Sequence, residues 1–254
     1  MNSALNVNDD RRLAQTRGAS LQTYARIAGV LFLLTFVAGG FGEAYVPSKL
    51  IVSADATATA NNIHAFGSLF RWGFAAYLIE AVCDIALALI FYSLLRPVHR
   101  DVSLLAAFIG LVSTTLFAVA EFFYFAPLLI LGGGNYLKSF SPDQLNTLAL
   151  LSLKLYGLGG GIFMVFYGVG WVLRGYLIFR SGYFPKFLGV LLVLGGIGFV
   201  TKNFALVLAP AYASDGLVLP MLLAGVSLTV WLLVRGVDAA KREAKASPER
   251  VSGA

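Results

Sequence analysis

The chain has 254 residues, 58% of them hydrophobic and 13% charged, with mean hydropathy +0.79. Soluble domains run nearer half apolar and a quarter charged, so this composition excludes a water-covered globule and requires lipid as solvent. One cysteine, Cys83, excludes an internal disulfide and leaves no material for a cysteine-based metal site; the net charge of +6 sits in tails and short loops, which marks topology rather than nucleic-acid binding.

Residues 1–20 are polar and read as a disordered cytoplasmic tail. A spanning helix needs about 20 mostly apolar residues. Six stretches qualify, at about 24–45, 68–95, 104–130, 151–179, 187–207 and 217–234. The first has the outline of a secretion signal cleaved after Ala44, but its charged leader is long and the stretch is long enough to span. Pro47 and Pro97 follow the first two spans and read as their stops, because proline lacks an N–H and fixes φ. Pro127, near the end of the third span, predicts a kink. Ser141-Pro142-Asp143 has the form of a helix start, with Ser as cap and Pro in the first turn. Pro185 marks the turn between the fourth and fifth spans, and Pro210 the last hairpin. "GGGN" at 132–135 has no strand before it, so it reads as a turn and not a phosphate loop. Residues 237–254 form a basic tail that briefly extends the last helix. The chain thus divides into a tail (1–20), a membrane domain (21–236) and a second tail (237–254), with no internal repeat.

The bases set the orientation. With the N-terminus inside, fourteen of the nineteen Lys and Arg fall on the inner side; only Lys49, Arg71, Lys138, Lys154 and Lys202 fall on the outer side. Positive residues are enriched on the cytoplasmic side of membrane proteins. The expected fold is an all-α polytopic bundle of six transmembrane helices with both ends cytoplasmic. Many of the 27 glycines lie inside the spans. Gly157, Gly161, Gly168 and Gly175 share one face of the fourth span, where a neighbouring backbone can approach closely. Gly195, Gly196 and Gly198 read the same way on the fifth.

"LIEAVCDIA" (78–86) places Glu80 and Asp84 four apart, on one face of the second span. Measured from Arg71 at the outer rim, they lie roughly 13 and 20 Å deep, near the middle of a ~30 Å core. A charge there costs at least about 2.5 kcal/mol, so such residues face a bundle interior or a wet cavity. Two close carboxylates repel, and one is expected to hold a proton or a cation. Glu121 and Glu43 lie in the outer halves of the third and first spans. Lys154 and Lys202 lie near the outer ends of the fourth and fifth. The inner halves hold only Arg174, which is expected to snorkel to the interface. This asymmetry predicts a polar cavity open to the outer side. Its ligand-binding set is Glu43, Arg71, Tyr77, Glu80, Asp84, Glu121, Tyr124, Lys154 and Lys202. Tyr156, Asn203 and His64 stand at its lining or rim, His64 more as a solvated residue than as a ligand. "EFFYFAPLL" (121–129) reads as an interfacial aromatic belt. The alternative account of all these charges is structural ion pairing.

"GYLIFRSGYFPKFLGVLLVLGGIGFV" (175–200) joins a Gly-Tyr-Leu helix end, a short Arg-Ser loop, a Pro and a Leu-Gly-rich helix. With "YARIAGVLFLLTFVAGG" (24–40) and "CDIALALIFYSLLRPV" (83–98), it resembles domain-of-unknown-function family 4386 over roughly residues 22–236. The resemblance implies a multi-pass protein of the bacterial cytoplasmic (inner) membrane. It supplies no catalytic residue, metal or cofactor.

Three functions fit. The first is binding or transport of a small molecule or ion by the buried carboxylates. The second is a membrane-embedded enzyme of cyclase or isomerase type. There Glu80, Asp84 and Glu121 are the catalytic candidates, acting as acid and base on a lipid or isoprenoid. The third is a non-catalytic assembly or regulatory subunit. Expected partners are the bilayer, a small-molecule, lipid or isoprenoid ligand, and further copies of the chain; no nucleic acid, metal or cofactor is expected.

Overall fold

The computed structural model describes residues 2–246, with side chains described for 20–246 except residue 215. Most of the expected leader tail (1–19), and residues 247–254 of the expected basic tail, fall outside the described side chains. Among the described residues there is no strand, and six helical stretches are long and apolar enough to span a membrane. The first span comprises α1 (Asn2–Gly39, apolar from Ser20), a π-helical segment (Gly40–Tyr45) and α2 (Val46–Leu50). After the short α3 (Ala56–Ala65) come the spans α4 (Gly67–Leu95), α5 (Arg100–Ile130), α6 (Pro142–Ser181), α7 (Lys186–Leu208) and α8 (Leu219–Val234). A final short helix, α9, covers Ala239–Ala246.

Each span packs on the next, and α8 returns to α1, so the six form a closed ring. One apolar cluster fills the basic end around Phe32, Phe91, Trp171 and Leu188. A second fills the other end around Tyr77, Phe117, Tyr124 and Phe163. Met164 and Tyr167 touch both, and the seam between the clusters is where polar side chains enter the bundle. Cys83 is a buried free thiol.

Local chemistry sets the boundaries. Ser141 starts α6 as its sequence predicts: its hydroxyl accepts from the Gln144 N–H (3.3 Å), and Gln144 Oε1 accepts from the Ser141 N–H (2.8 Å). At 40 residues, α6 is about 60 Å long, twice a bilayer core. Its first turns therefore project past the membrane and pack beside α3, where Asn146 meets the Thr57 hydroxyl at 3.5 Å. Helix α3 begins on the Asp55 carboxylate, which accepts from the Ala58 N–H at 2.8 Å.

Three expectations need correction. Pro47 does not stop the first span; it sits in the first turn of α2, and helix continues to Leu50. The aromatic run at 121–125 is not wholly a belt: Phe122 and Phe123 face outward, but Tyr124 is fully buried, stacked on Phe70 at 4.4 Å. Nor does the last span extend into the tail. Gly236 takes φ +69, a left-handed turn that favours glycine, and α9 folds back. Gln22 holds that turn through both polar atoms of its amide, bonded to the Val237 carbonyl (2.8 Å) and N–H (3.3 Å). Asp238 caps α9. Arg242 then donates to the carbonyls of Ser93 and Leu94, and Lys245 to that of Arg180. These are last-turn carbonyls of α4 and α6, which lack helical partners.

Glycines bring α6 and α7 together. A Cβ at Gly168 would fall 2.7 Å from the Gly196 carbonyl oxygen, and one at Gly175 would fall 2.8 Å from that of Gly189. Such contact yields dispersion and weak C–H bonds where lipid supplies no hydrophobic drive between helices. Gly157, grouped with these by its spacing, meets nothing within 4 Å. Gly168→Leu should therefore overpack the α6–α7 contact and cost about 1–3 kcal/mol. Gly157→Leu should be close to neutral. Thermal melting in detergent, read by size-exclusion chromatography of the surviving fold, compares the two.

Candidate functional site

The site begins with a mismatch in the first span. A proline ring clashes with the carbonyl four residues back and offers no N–H. Before Pro47 the helix widens, and the Val46 N–H reaches the Phe41 carbonyl, five residues away. In that register the Gly42 carbonyl would look to the nitrogen of Pro47, which has no hydrogen. The Tyr77 hydroxyl on α4 supplies the missing bond, donating to the Gly42 carbonyl at 2.8 Å. Tyr77 can reach because Gly42 has no side chain: a Cβ there would lie 3.3 Å from its ring. Widened turns of this kind often mark functional sites. This one carries Glu43.

Glu43, Glu80 and Asp84 line a cleft of about 520 Å³ inside the helix ring. Glu80 fits because Gly39 leaves space: a Cβ at 39 would lie 3.2 Å from Glu80 Oε2. That oxygen is buried and has no hydrogen-bond partner. The facing walls are apolar and aromatic, with Phe163, Met164, Tyr167 and Trp171 from α6, Phe199 from α7 and Met221 from α8. The indole N–H of Trp171 is likewise buried without a hydrogen-bond partner. The exposed members of the lining are Gly40, Glu43 and Ala44 on the π segment and Leu222 on α8. Below them α1 and α8 close together, where Phe36 fills the space over Gly225. The exposed side of the cleft is thus the gap between α1 and α8.

Glu121 stands beside this cleft rather than in its wall. It is 3% exposed, and neither carboxylate oxygen has a hydrogen-bond partner. Glu80 lies within electrostatic reach of Glu43, Asp84 and Glu121, and Glu121 within reach of Glu43 and the Tyr156 hydroxyl. Tyr77, Tyr124 and Tyr156 form an aromatic triangle around this point, with ring centres 5.0, 5.4 and 5.7 Å apart. The four acids and three tyrosines singled out from sequence therefore converge.

The bases do not. Arg71 and Lys154 are exposed, Lys202 is half-buried on α7, and none of them lines the cleft. His64 is exposed in the last turn of α3, and Asn203 bonds back to the Phe199 carbonyl of its own helix at 2.9 Å. The base inside the bundle is Arg174, and the expectation that it snorkels outward is wrong. It is 8% exposed, lies 5.8 Å from the Phe91 ring and fills the space left by Gly110. Its charge is felt by Asp84 and Tyr167. The room for Arg174 comes from a glycine on a different helix, which no local pattern around residue 174 reveals. Among the described residues no three His, Cys, Asp or Glu side chains gather closely enough to hold a metal ion. The arrangement offers acceptors for a cation or for hydrogen-bond donors, backed by an aromatic wall.

The family model described as "Domain of unknown function (DUF4386)" matches residues 27–236. An uncharacterized protein of Archaeoglobus fulgidus is 25% identical over 124 residues, which are 47% of this chain and 57% of that protein. The chain thus spans little more than half of that relative's length. No solved structure matches.

Tyr77→Phe removes the one donor that reaches the Gly42 carbonyl and leaves a buried acceptor bare. The expected cost is about 1–3 kcal/mol, read as a lower melting midpoint in detergent. Tyr136→Phe, at an exposed turn, should leave the midpoint unchanged.

Proposed function

This chain belongs to the DUF4386 family, whose description carries no activity, and from the site alone we propose that it binds an amphipathic small molecule inside the membrane. The ligand's head would be cationic or rich in hydrogen-bond donors. The observation that carries this reading is the Glu80 carboxylate. It is half sunk among apolar side chains, with one oxygen lacking a partner, and faces a cleft shared with Glu43 and Asp84. Buried polar atoms are nearly always satisfied, so an orphan carboxylate oxygen in a cleft points to a missing donor. The cleft volume falls within the usual range for small-molecule sites, and its mix of aromatic wall and few polar groups is also typical. Its exposed side between α1 and α8 would face lipid, which favours a ligand that partitions into the bilayer. Oriented by the bias of its bases, the carboxylate half of the bundle would lie on the outer side.

A hydrogen bond to a charged group contributes about 1.5–3 kcal/mol, or roughly tenfold to a hundredfold in affinity. Mass spectrometry of small molecules co-purifying in mild detergent should find an amphiphile near one per chain in wild type. Folded Glu80→Gln should hold at least roughly tenfold less. The same lipid background in both proteins would end this reading. Conversion of the bound compound by wild type alone would favour an enzyme that uses these carboxylates as acid and base.

A further inference from the structure

At the basic end of the ring lies a second and larger cavity, of about 760 Å³. It is walled by the start of the first span, the end of α4 and the folded-back α9. Three guanidinium groups line it: Arg96 just past the end of α4, Arg100 at the start of α5, and Arg242 on α9. Among the described residues Glu243 is the one carboxylate in the lining, against the three guanidinium groups. Tyr24 and Tyr92 add two phenol rings at the level where the spans end.

We infer that this cavity is an anion site for a phosphate group, filled by the headgroup of an anionic phospholipid or by a free phosphate. Guanidinium forks match phosphate oxygens two at a time, and arginine is favoured wherever that geometry matters. The position suits a lipid source, because basic pockets between spans bind anionic headgroups, and tyrosines collect at headgroup depth. Arg242 cannot swing away from its neighbours, since the carbonyls of Ser93 and Leu94 hold it. Burial lowers its pKa, and the charge of Arg96 adds to that effect. An anion between the guanidiniums would relieve both. The side chains of Arg96 and Arg100 make no hydrogen bond or ion pair among the described residues, so they are the arms left to grip a ligand.

The test uses the full chain in a zwitterionic detergent and follows its melting midpoint. Phosphatidylglycerol should raise the midpoint of wild type by several degrees, and phosphatidylcholine should not. The Arg96→Gln/Arg100→Gln double variant should lose most of that rise. Both side chains are exposed, and Arg242 keeps its structural bonds, so the variant should fold. An Arg235→Gln/Lys186→Gln protein, with equal charge removed elsewhere, should keep the rise. A matching rise from inorganic phosphate alone would keep the site and assign its ligand to a soluble source. An equal rise in wild type and the Arg96/Arg100 variant, or no rise in either, overturns the proposal.

Discussion

One hydrogen bond organises the carboxylate-bearing half of this bundle: the Tyr77 hydroxyl on the Gly42 carbonyl. A helix in lipid has no water to satisfy a stray carbonyl, so a proline in a span needs a partner from a neighbouring helix. Tyr77 is that partner. By reaching across, it fixes α1 against α4 at the depth where Glu43 and Glu80 face one another. Glycines at 39 and 42 leave the space that both contacts need. The carboxylate cleft is therefore a by-product of how the first span accommodates Pro47.

The rest of the ring is held by shape. Lipid tails compete equally for every leucine, so close backbone contact decides which helices pair. The glycine faces of α6 and α7 rest on each other's carbonyl oxygens, and on α7 Gly195 rests on Met221 of α8 while Gly198 rests on Leu217 in the turn just before it. Polar bonds then close the basic end. Tyr183 and Arg242 share the Leu94 carbonyl, and Lys245 takes that of Arg180. Bases near helix C-termini also suit the negative end of the helix dipole. One end is thus clamped by cations on carbonyls, and the other keeps its acids and its open seam.

The spans were legible because a bilayer imposes a length and a composition that few other constraints mimic. Convergence of Glu43, Glu80, Asp84 and Glu121 was legible from depth alone, since charges at mid-bilayer must turn inward. Partners were not. Lys154 and Arg71 lie at suitable depths yet face outward, because depth says nothing about rotation around the helix. Arg174 looked able to snorkel, and only Gly110 on α5 explains why it turns in. The π segment was hidden as well. A proline after twenty apolar residues reads as a stop until the tyrosine that rescues the carbonyl is placed beside it.

The widened turn at 40–45 also has a consequence for how the family can diverge. A π segment is in effect an α-helix with one residue to spare. Loss of a single residue there would let the helix relax to its ordinary pitch without breaking the span. The spare residue is taken up inside the widened turn, so the helix on either side would keep its facing and only the residues of the turn itself would shift. Glu43 would leave the cleft, and Tyr77 would lose its acceptor. A one-residue gap at this place in a relative would mark a lineage that kept the bundle and gave up the site.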